Sequence, residues 1–77
     1  LIALGDLYRA QGGYREAIKP YEEALYVVGN QKKLFQKRCD ILMRLCWVQE
    51  PIDRKKYVFY LEEMSRTQEK LYSERRC

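Results

Sequence analysis

The sequence has few of the side chains that metal or thiol chemistry requires. It contains no histidine, and its three cysteines, Cys39, Cys46 and Cys77, form no CxxC pair. A zinc site would therefore lack ligands. If Cys39 and Cys46 share one helix, their Cα atoms are separated by about 10.5 Å, beyond the roughly 7 Å that a disulfide spans. We predict reduced thiols, no metal ion and no cofactor, as in a cytoplasmic protein, with a nuclear location left open.

The carboxylates and hydroxyls also lack the arrangement of a catalytic site. The acidic pairs Glu22-Glu23 and Glu62-Glu63 are adjacent in sequence, and adjacent residues do not face each other on a helix. Without a histidine, the serines and threonine cannot form a nucleophilic triad. Gly12-Gly13 is typical of a turn rather than of a phosphate-binding loop, because no strand precedes it. We therefore expect that the protein is not an enzyme.

Basic residues outnumber acidic ones and suggest phosphate binding as another chemistry. The chain has 15 Lys and Arg against 11 Asp and Glu, a net charge of +4 and a pI near 9.1. Lys32, Lys33, Lys37 and Arg38 form a local run, and such runs bind nucleic acid when they line one face. On a helix these four residues spread around the axis. A solvated surface is therefore favoured, with nucleic-acid binding as the alternative.

The spacing of apolar residues predicts the first two helices of a small all-α domain. Over residues 1–11 the apolar residues follow the three-and-four spacing of a helix face, and Gly12-Gly13 ends that pattern. A second helix follows from Tyr14 to the terminating pair Gly29-Asn30. Pro20 lies inside it and predicts a kink. The predicted apolar faces are Leu1, Leu4, Leu7 and Tyr8 in the first helix, and Ala17, Ile18, Tyr21, Ala24, Leu25 and Val28 in the second.

Two longer helices are predicted in the second half of the chain. The third covers residues 31–49 and ends before Pro51, and the fourth begins after Asp53, which has the side chain of an N-cap. Short connections between the four helices predict antiparallel neighbours. No apolar run approaches the roughly 18 residues of a membrane span. The predicted apolar faces are Leu34, Phe35, Ile41, Leu42, Leu45, Cys46 and Val48 in the third helix, and Tyr57, Tyr60, Leu61, Met64 and Leu71 in the fourth.

Small and large residues alternate across the first two helices, at Leu4, Gly5, Tyr8, Gly12, Tyr14, Ala17, Tyr21, Ala24 and Leu25. This pattern resembles the tetratricopeptide repeat (TPR). Two positions depart from that family: Leu1 replaces its usual aromatic residue and Gly29 its usual proline. The resemblance covers residues 1–29. Residues 31–74 repeat the pattern weakly, at offsets of 38 to 40 residues and with larger side chains, and they resemble a degenerate repeat or a capping helical pair.

The resemblance implies an α-solenoid of antiparallel helix-turn-helix pairs with a concave binding groove. Members of the family bind an extended peptide or a partner helix along the first helix of each pair. The groove positions carried over are Ile2, Asp6, Arg9 and Ala10 in the first pair, and Asp40, Arg44 and Trp47 in the second. We expect Asp6, Arg9, Asp40, Arg44 and Trp47 to contact a partner. The alternatives are a solvated surface pair for Asp6 and Arg9, and helix packing for Trp47. Because Ile2 and Asp6 stand where one subgroup has Lys and Asn, binding of chaperone C-terminal carboxylates is disfavoured.

The sequence thus favours a module for protein interaction or scaffolding. The alternatives are a basic helical module that binds nucleic acid and a segment that only packs within a larger protein. Because the sequence does not begin with Met, we expect a piece of a longer protein. The face of residues 1–11 would then lack its neighbour, and we expect it to allow self-association.

Overall fold

The structure, a computed structural model, describes residues 1–75. In this range the chain is all-α and contains no strand, which confirms the predicted fold class. The helices are α1 (Ile2–Ala10), α2 (Tyr14–Val28), α3 (Phe35–Gln49) and α4 (Arg54–Arg75). None of these described helices has the length and apolar character needed to span a membrane. Cys77, for which a reduced thiol was predicted, lies outside the described residues.

Glycines end the first two helices as predicted. Gly12 has a φ of 82° and Gly29 a φ of 57°, values that side-chain-bearing residues rarely adopt. The N–H of Gly13 donates to the carbonyl of Tyr8 at 2.8 Å and so closes the last turn of α1. Between Gly12 and Gly29, α2 continues as one helix through the buried Pro20.

The third helix begins later than predicted. Lys32–Leu34 forms a 3₁₀ turn, closed by a 2.9 Å hydrogen bond from the Leu34 N–H to the Gln31 carbonyl, and α3 starts at Phe35. Short 3₁₀ turns are common at helix N-termini because the first N–H groups have no partner within the helix. The predicted N-cap of α4 is confirmed, since Asp53 Oδ1 accepts the N–H groups of Lys55 at 3.1 Å and Lys56 at 3.3 Å.

The core lies mainly between α2 and α3. Helix α1 packs on α2, α2 on α3, and α3 on α4, and the predicted apolar faces of α2 and α3 are buried or half-buried. Within the described residues, α1 contributes one buried residue, Gly5. The buried core residues are Ala17, Tyr21, Ala24, Val28, Ile41, Leu42, Leu45, Cys46, Val48 and Tyr60.

In two helices the buried residues differ from the predicted apolar face. The leucines of the first helix, Leu1, Leu4 and Leu7, are about half exposed, because α1 packs on α2 through Gly5 and leaves the leucine side uncovered. On α4, Leu61 is 39% exposed while Thr67 is buried. The buried stripe of α4 therefore passes from Tyr60 to Thr67 without Leu61.

Candidate protein-interaction site

Helices α1 and α3 bring all five predicted binding residues together. Asp6 and Arg9 lie three residues apart on α1, and Asp40, Arg44 and Trp47 follow at spacings of four and three on α3. Such spacings place side chains on one face of a helix. The two faces meet in a network of ion pairs and one cation–π contact. We call the surface formed by these five residues the α1–α3 surface.

Asp6 is the centre of the network. Its Oδ1 accepts a hydrogen bond from Arg44 Nε at 3.1 Å and another from the Tyr21 hydroxyl, and Arg9 Nη2 lies 3.6 Å away. Burial tends to raise the pKa of Asp6, but these hydrogen bonds and the two positive charges outweigh it and hold the pKa below its usual value. Burial, together with Asp6, raises the pKa of Tyr21 to about 12. Asp6 is therefore a carboxylate and Tyr21 a neutral donor at neutral pH.

Arg44 links the two helices. Besides its contact with Asp6, its Nη1 lies 3.2 Å from Asp40 Oδ2 and donates to the Asp40 carbonyl at 3.3 Å. Burial tends to lower the pKa of Arg44, but its hydrogen bonds with Asp40 and Asp6 outweigh that effect and raise the pKa. The Arg44 charge is thus shared between one carboxylate on α1 and one on α3.

Trp47 lies at the surface rather than in the core. It is 48% exposed, and the Arg9 guanidinium carbon is 4.7 Å from the centre of its ring. Its exposure shows that Trp47 is not a core residue, while its contact with Arg9 of α1 is compatible with the helix-packing alternative. A cation above an exposed aromatic ring contributes about 0.5–1 kcal/mol, which favours one orientation of Arg9.

A small cavity opens beside this stacked pair. It has a volume of about 310 Å³, at the lower end of the size range of ligand pockets. Two lining residues, Ala10 and Tyr14, add apolar surface to the polar side chains of Asp6 and Arg9. Ile2, also carried over as a groove residue, is half-buried and packs against the core, so it is less available to a partner. The lining residues are Asp6, Arg9, Ala10, Tyr14 and Trp47.

Sequence reasoning missed the contribution of two tyrosines. It treated Tyr21 as a packing residue, whereas the hydroxyl of this fully buried ring also donates to Asp6. Tyr14 is 42% exposed and lines the cavity. Their spacing along α2 indicates only a packed face. The contact with Asp6 depends on the relative positions of α1 and α2, which no local pattern specifies.

The basic run does not form one surface. Lys32, Lys33 and Lys37 are exposed, but Arg38 is half-buried and donates to the Gly29 carbonyl at 3.0 Å. Arg38 also pairs with Glu63 at 3.6 Å. It therefore connects α3 to the end of α2 and to α4, and its charge is partly neutralised.

The thiols of the described residues are not activated. Cys39 is half-buried and Cys46 buried, and both are free. Burial raises the pKa of each thiol above its usual value, which disfavours the reactive thiolate. Across the described part of the chain, no group of three or more His, Cys, Asp or Glu residues could hold a metal ion.

Comparison of the chain with protein families, with curated proteins and with solved structures found no match. The resemblance to the TPR remains a prediction from the residues that carry it.

Proposed function

We propose that the protein is an interaction module that binds an extended peptide or a partner helix on the α1–α3 surface. The observation that carries this proposal is Trp47, a large aromatic side chain that is 48% exposed and stacked under Arg9. Trp and Arg are the residues most enriched among those that dominate binding energy. The adjacent cavity of about 310 Å³ offers room for a side chain of the partner.

The ion pairs support the proposal because they fix the surface before a partner arrives. Arg44 connects Asp6 on α1 to Asp40 on α3, so the two helices that carry the surface are joined directly. A pre-organised surface loses less conformational freedom on binding. The proposed arrangement is that of two TPR-like pairs, α1–α2 and α3–α4, in which the first helix of each pair contributes to the surface.

A peptide library provides the test. The 77-residue chain is panned against a phage-displayed library of random peptides, and the selected peptides are synthesised and titrated by fluorescence anisotropy. We expect Trp47→Ala to weaken their binding by about 30-fold or more, corresponding to roughly 2 kcal/mol. The matched control is Tyr26→Ala, which removes an aromatic ring that is 88% exposed on α2 and should leave the affinity unchanged. Circular dichroism establishes that both variants are folded.

Two outcomes would count against this function. The first is that selected peptides bind Trp47→Ala as tightly as the parent chain. The second is that duplex or single-stranded nucleic acid binds at physiological salt and is lost on Lys32→Glu with Lys33→Glu but not on Trp47→Ala. That result, with a steep fall of affinity as salt rises, would favour the nucleic-acid alternative.

A further inference from the structure

We propose that the α1–α3 surface selects acidic segments, in which an Asp or Glu side chain binds Arg9 while a neighbouring apolar side chain packs on Trp47. This inference rests on the proposed function and specifies the chemistry of the partner.

Arg9 is the cation of the surface with the weakest internal pairing. Its Nη2 is 3.6 Å from Asp6 Oδ1, whereas Arg44 Nε approaches the same oxygen to 3.1 Å. Asp6 Oδ1 also accepts from the Tyr21 hydroxyl, so its capacity is largely used by groups other than Arg9. A guanidinium carries five N–H donors in a planar fork that matches a carboxylate. Arg9 also interacts with the Tyr21 hydroxyl, but five donors exceed what this contact, one long ion pair and one ring contact require.

The stacking on Trp47 orients that fork. The guanidinium carbon lies over the ring, 4.7 Å from its centre, and 32% of the Arg9 side chain is exposed. A planar cation that rests on an aromatic ring and is partly open to solvent is suited to bind a carboxylate through two N–H groups.

The other charges of the surface favour an acidic partner over a basic one. Both carboxylates, Asp6 and Asp40, are paired with Arg44, so a basic segment would compete with Arg44 for them. A carboxylate on Arg9 would share it with Asp6, whose charge Arg44 already partly neutralises. The chain carries a net charge of +4, which also attracts an acidic segment over longer distances.

Apolar contact accompanies the charge. The cavity beside Arg9 is also lined by Ala10, Tyr14 and Trp47, so a segment that places its carboxylate on Arg9 brings the next side chains against these residues. The expected ligand is an internal Asp or Glu with an adjacent aromatic or aliphatic residue.

The peptides selected from the library test this inference. We expect them to be enriched in Asp or Glu beside an apolar residue. Arg9→Gln should weaken them by about 10- to 100-fold, the range for losing a hydrogen bond to a charged group. Arg15→Gln is the matched control, since it makes the same change at an exposed position of α2 and should leave the affinity unchanged.

A double-mutant cycle separates a direct contact from a structural effect. When the acidic residue of the peptide is replaced by its amide, Arg9→Gln should cause little further loss if the two groups touch. Each peptide is tested with a free and with an amidated C-terminus, and equal affinities are expected because the ligand is an internal side chain.

Some results would overturn the inference and leave the proposed function standing. Selected peptides that lack acidic residues would do so, as would additive losses in the cycle or affinity that depends on a free C-terminus, provided that Trp47→Ala still weakens binding about 30-fold or more. If Trp47→Ala has no effect, the proposed function itself fails.

Discussion

The two helix pairs of this chain hold their helices together with residues of different size. In the first pair, Gly5 of α1 lies directly against the ring of the fully buried Tyr21. At the offsets of 38 and 40 residues at which the sequence pattern is predicted to repeat, the second pair has Met43, which is half-buried, and Leu61, which is 39% exposed. The first pair thus depends on the close contact between Gly5 and the Tyr21 ring, whereas the second pair has larger residues at these two positions.

Polar contacts also attach α4, the second helix of the second pair, to α2. The Tyr60 hydroxyl donates to Glu22 Oε2 at 3.0 Å, and Lys56 Nζ lies 3.9 Å from the same oxygen. Burial, together with Glu22, raises the pKa of Tyr60, so this hydroxyl remains a donor at neutral pH. The comparison indicates that substitutions at corresponding positions should have unequal effects in the two pairs.

The largest difference is expected between Tyr21 and Leu61. Tyr21→Ala should destabilise the protein by about 3–5 kcal/mol, because it leaves a large cavity in the core. Leu61→Ala should cost less than about 1 kcal/mol, since much of that side chain is already exposed. Urea unfolding followed by circular dichroism measures both. If Tyr21→Ala is too unstable to refold, Tyr21→Phe isolates the hydroxyl, whose loss should cost about 1–3 kcal/mol. Equal costs for Tyr21→Ala and Leu61→Ala would remove the distinction between the pairs.

A smaller effect is expected at Gly5. A Cβ there would lie 2.6 Å from Tyr21 Cδ1 and 2.8 Å from Cζ. Gly5→Ala should therefore destabilise by about 1–2 kcal/mol, even though alanine is the better helix former by roughly 1 kcal/mol.

The control is to make Gly5→Ala again in a variant in which Tyr21 has been replaced. When Tyr21 is replaced by the smaller Leu, Gly5→Ala should become neutral or stabilising, because the overlap is gone. The same urea titration measures this reversal of sign. A Gly5→Ala variant that is more stable than the parent would show that α1 does not rest on the Tyr21 ring.

The smallest effect concerns pH and Asp6. Its pKa is lowered in the folded protein, so its stabilising contribution is complete above the unfolded-state pKa near 3.9 and is lost as pH falls through the folded-state pKa. The free energy of unfolding should fall more steeply below about pH 4 in the parent chain than in Asp6→Asn. Solvent screening of this partly exposed group should keep the difference below about 1 kcal/mol. Parallel profiles for the two proteins would contradict this assignment.

The helices were largely predictable because their signals are local. Apolar spacing gave the faces of α2 and α3, Gly12 and Gly29 gave the ends of α1 and α2, and Asp53 gave the start of α4. The burial of residues on α4 was predicted less well. Leu61 and Thr67 lie on neighbouring stripes of α4, and only the docking of α4 on α3 determines which stripe is buried. The rotation of α4 about its own axis relative to α3 does not follow from local helix propensity.

The five predicted residues lie on one surface of the structure, but which of them contact one another was not predictable from the sequence. Spacing placed Asp6 beside Arg9 on one helix and Asp40 beside Arg44 on another, and the resemblance to the TPR put the two helices on one surface. The closest cationic partner of Asp6 is nevertheless Arg44, 38 residues away in the sequence, and Arg9 lies on Trp47. These pairings depend on how far α1 is displaced along α3, which the sequence does not encode locally.

Helix α1 buries few residues, and this couples partner binding to the stability of α1. Within the described residues, Gly5 is the one buried residue of this nine-residue helix, while α2 and α3 supply most of the core, so we expect α1 to open more readily than α2 or α3. Its backbone amides should then exchange with solvent faster than those of α2 and α3. Because two of the five residues of the α1–α3 surface, Asp6 and Arg9, belong to α1, a bound partner should stabilise the closed form and slow that exchange. The pre-organised surface is thus complete only while α1 is closed, and binding favours that closed form.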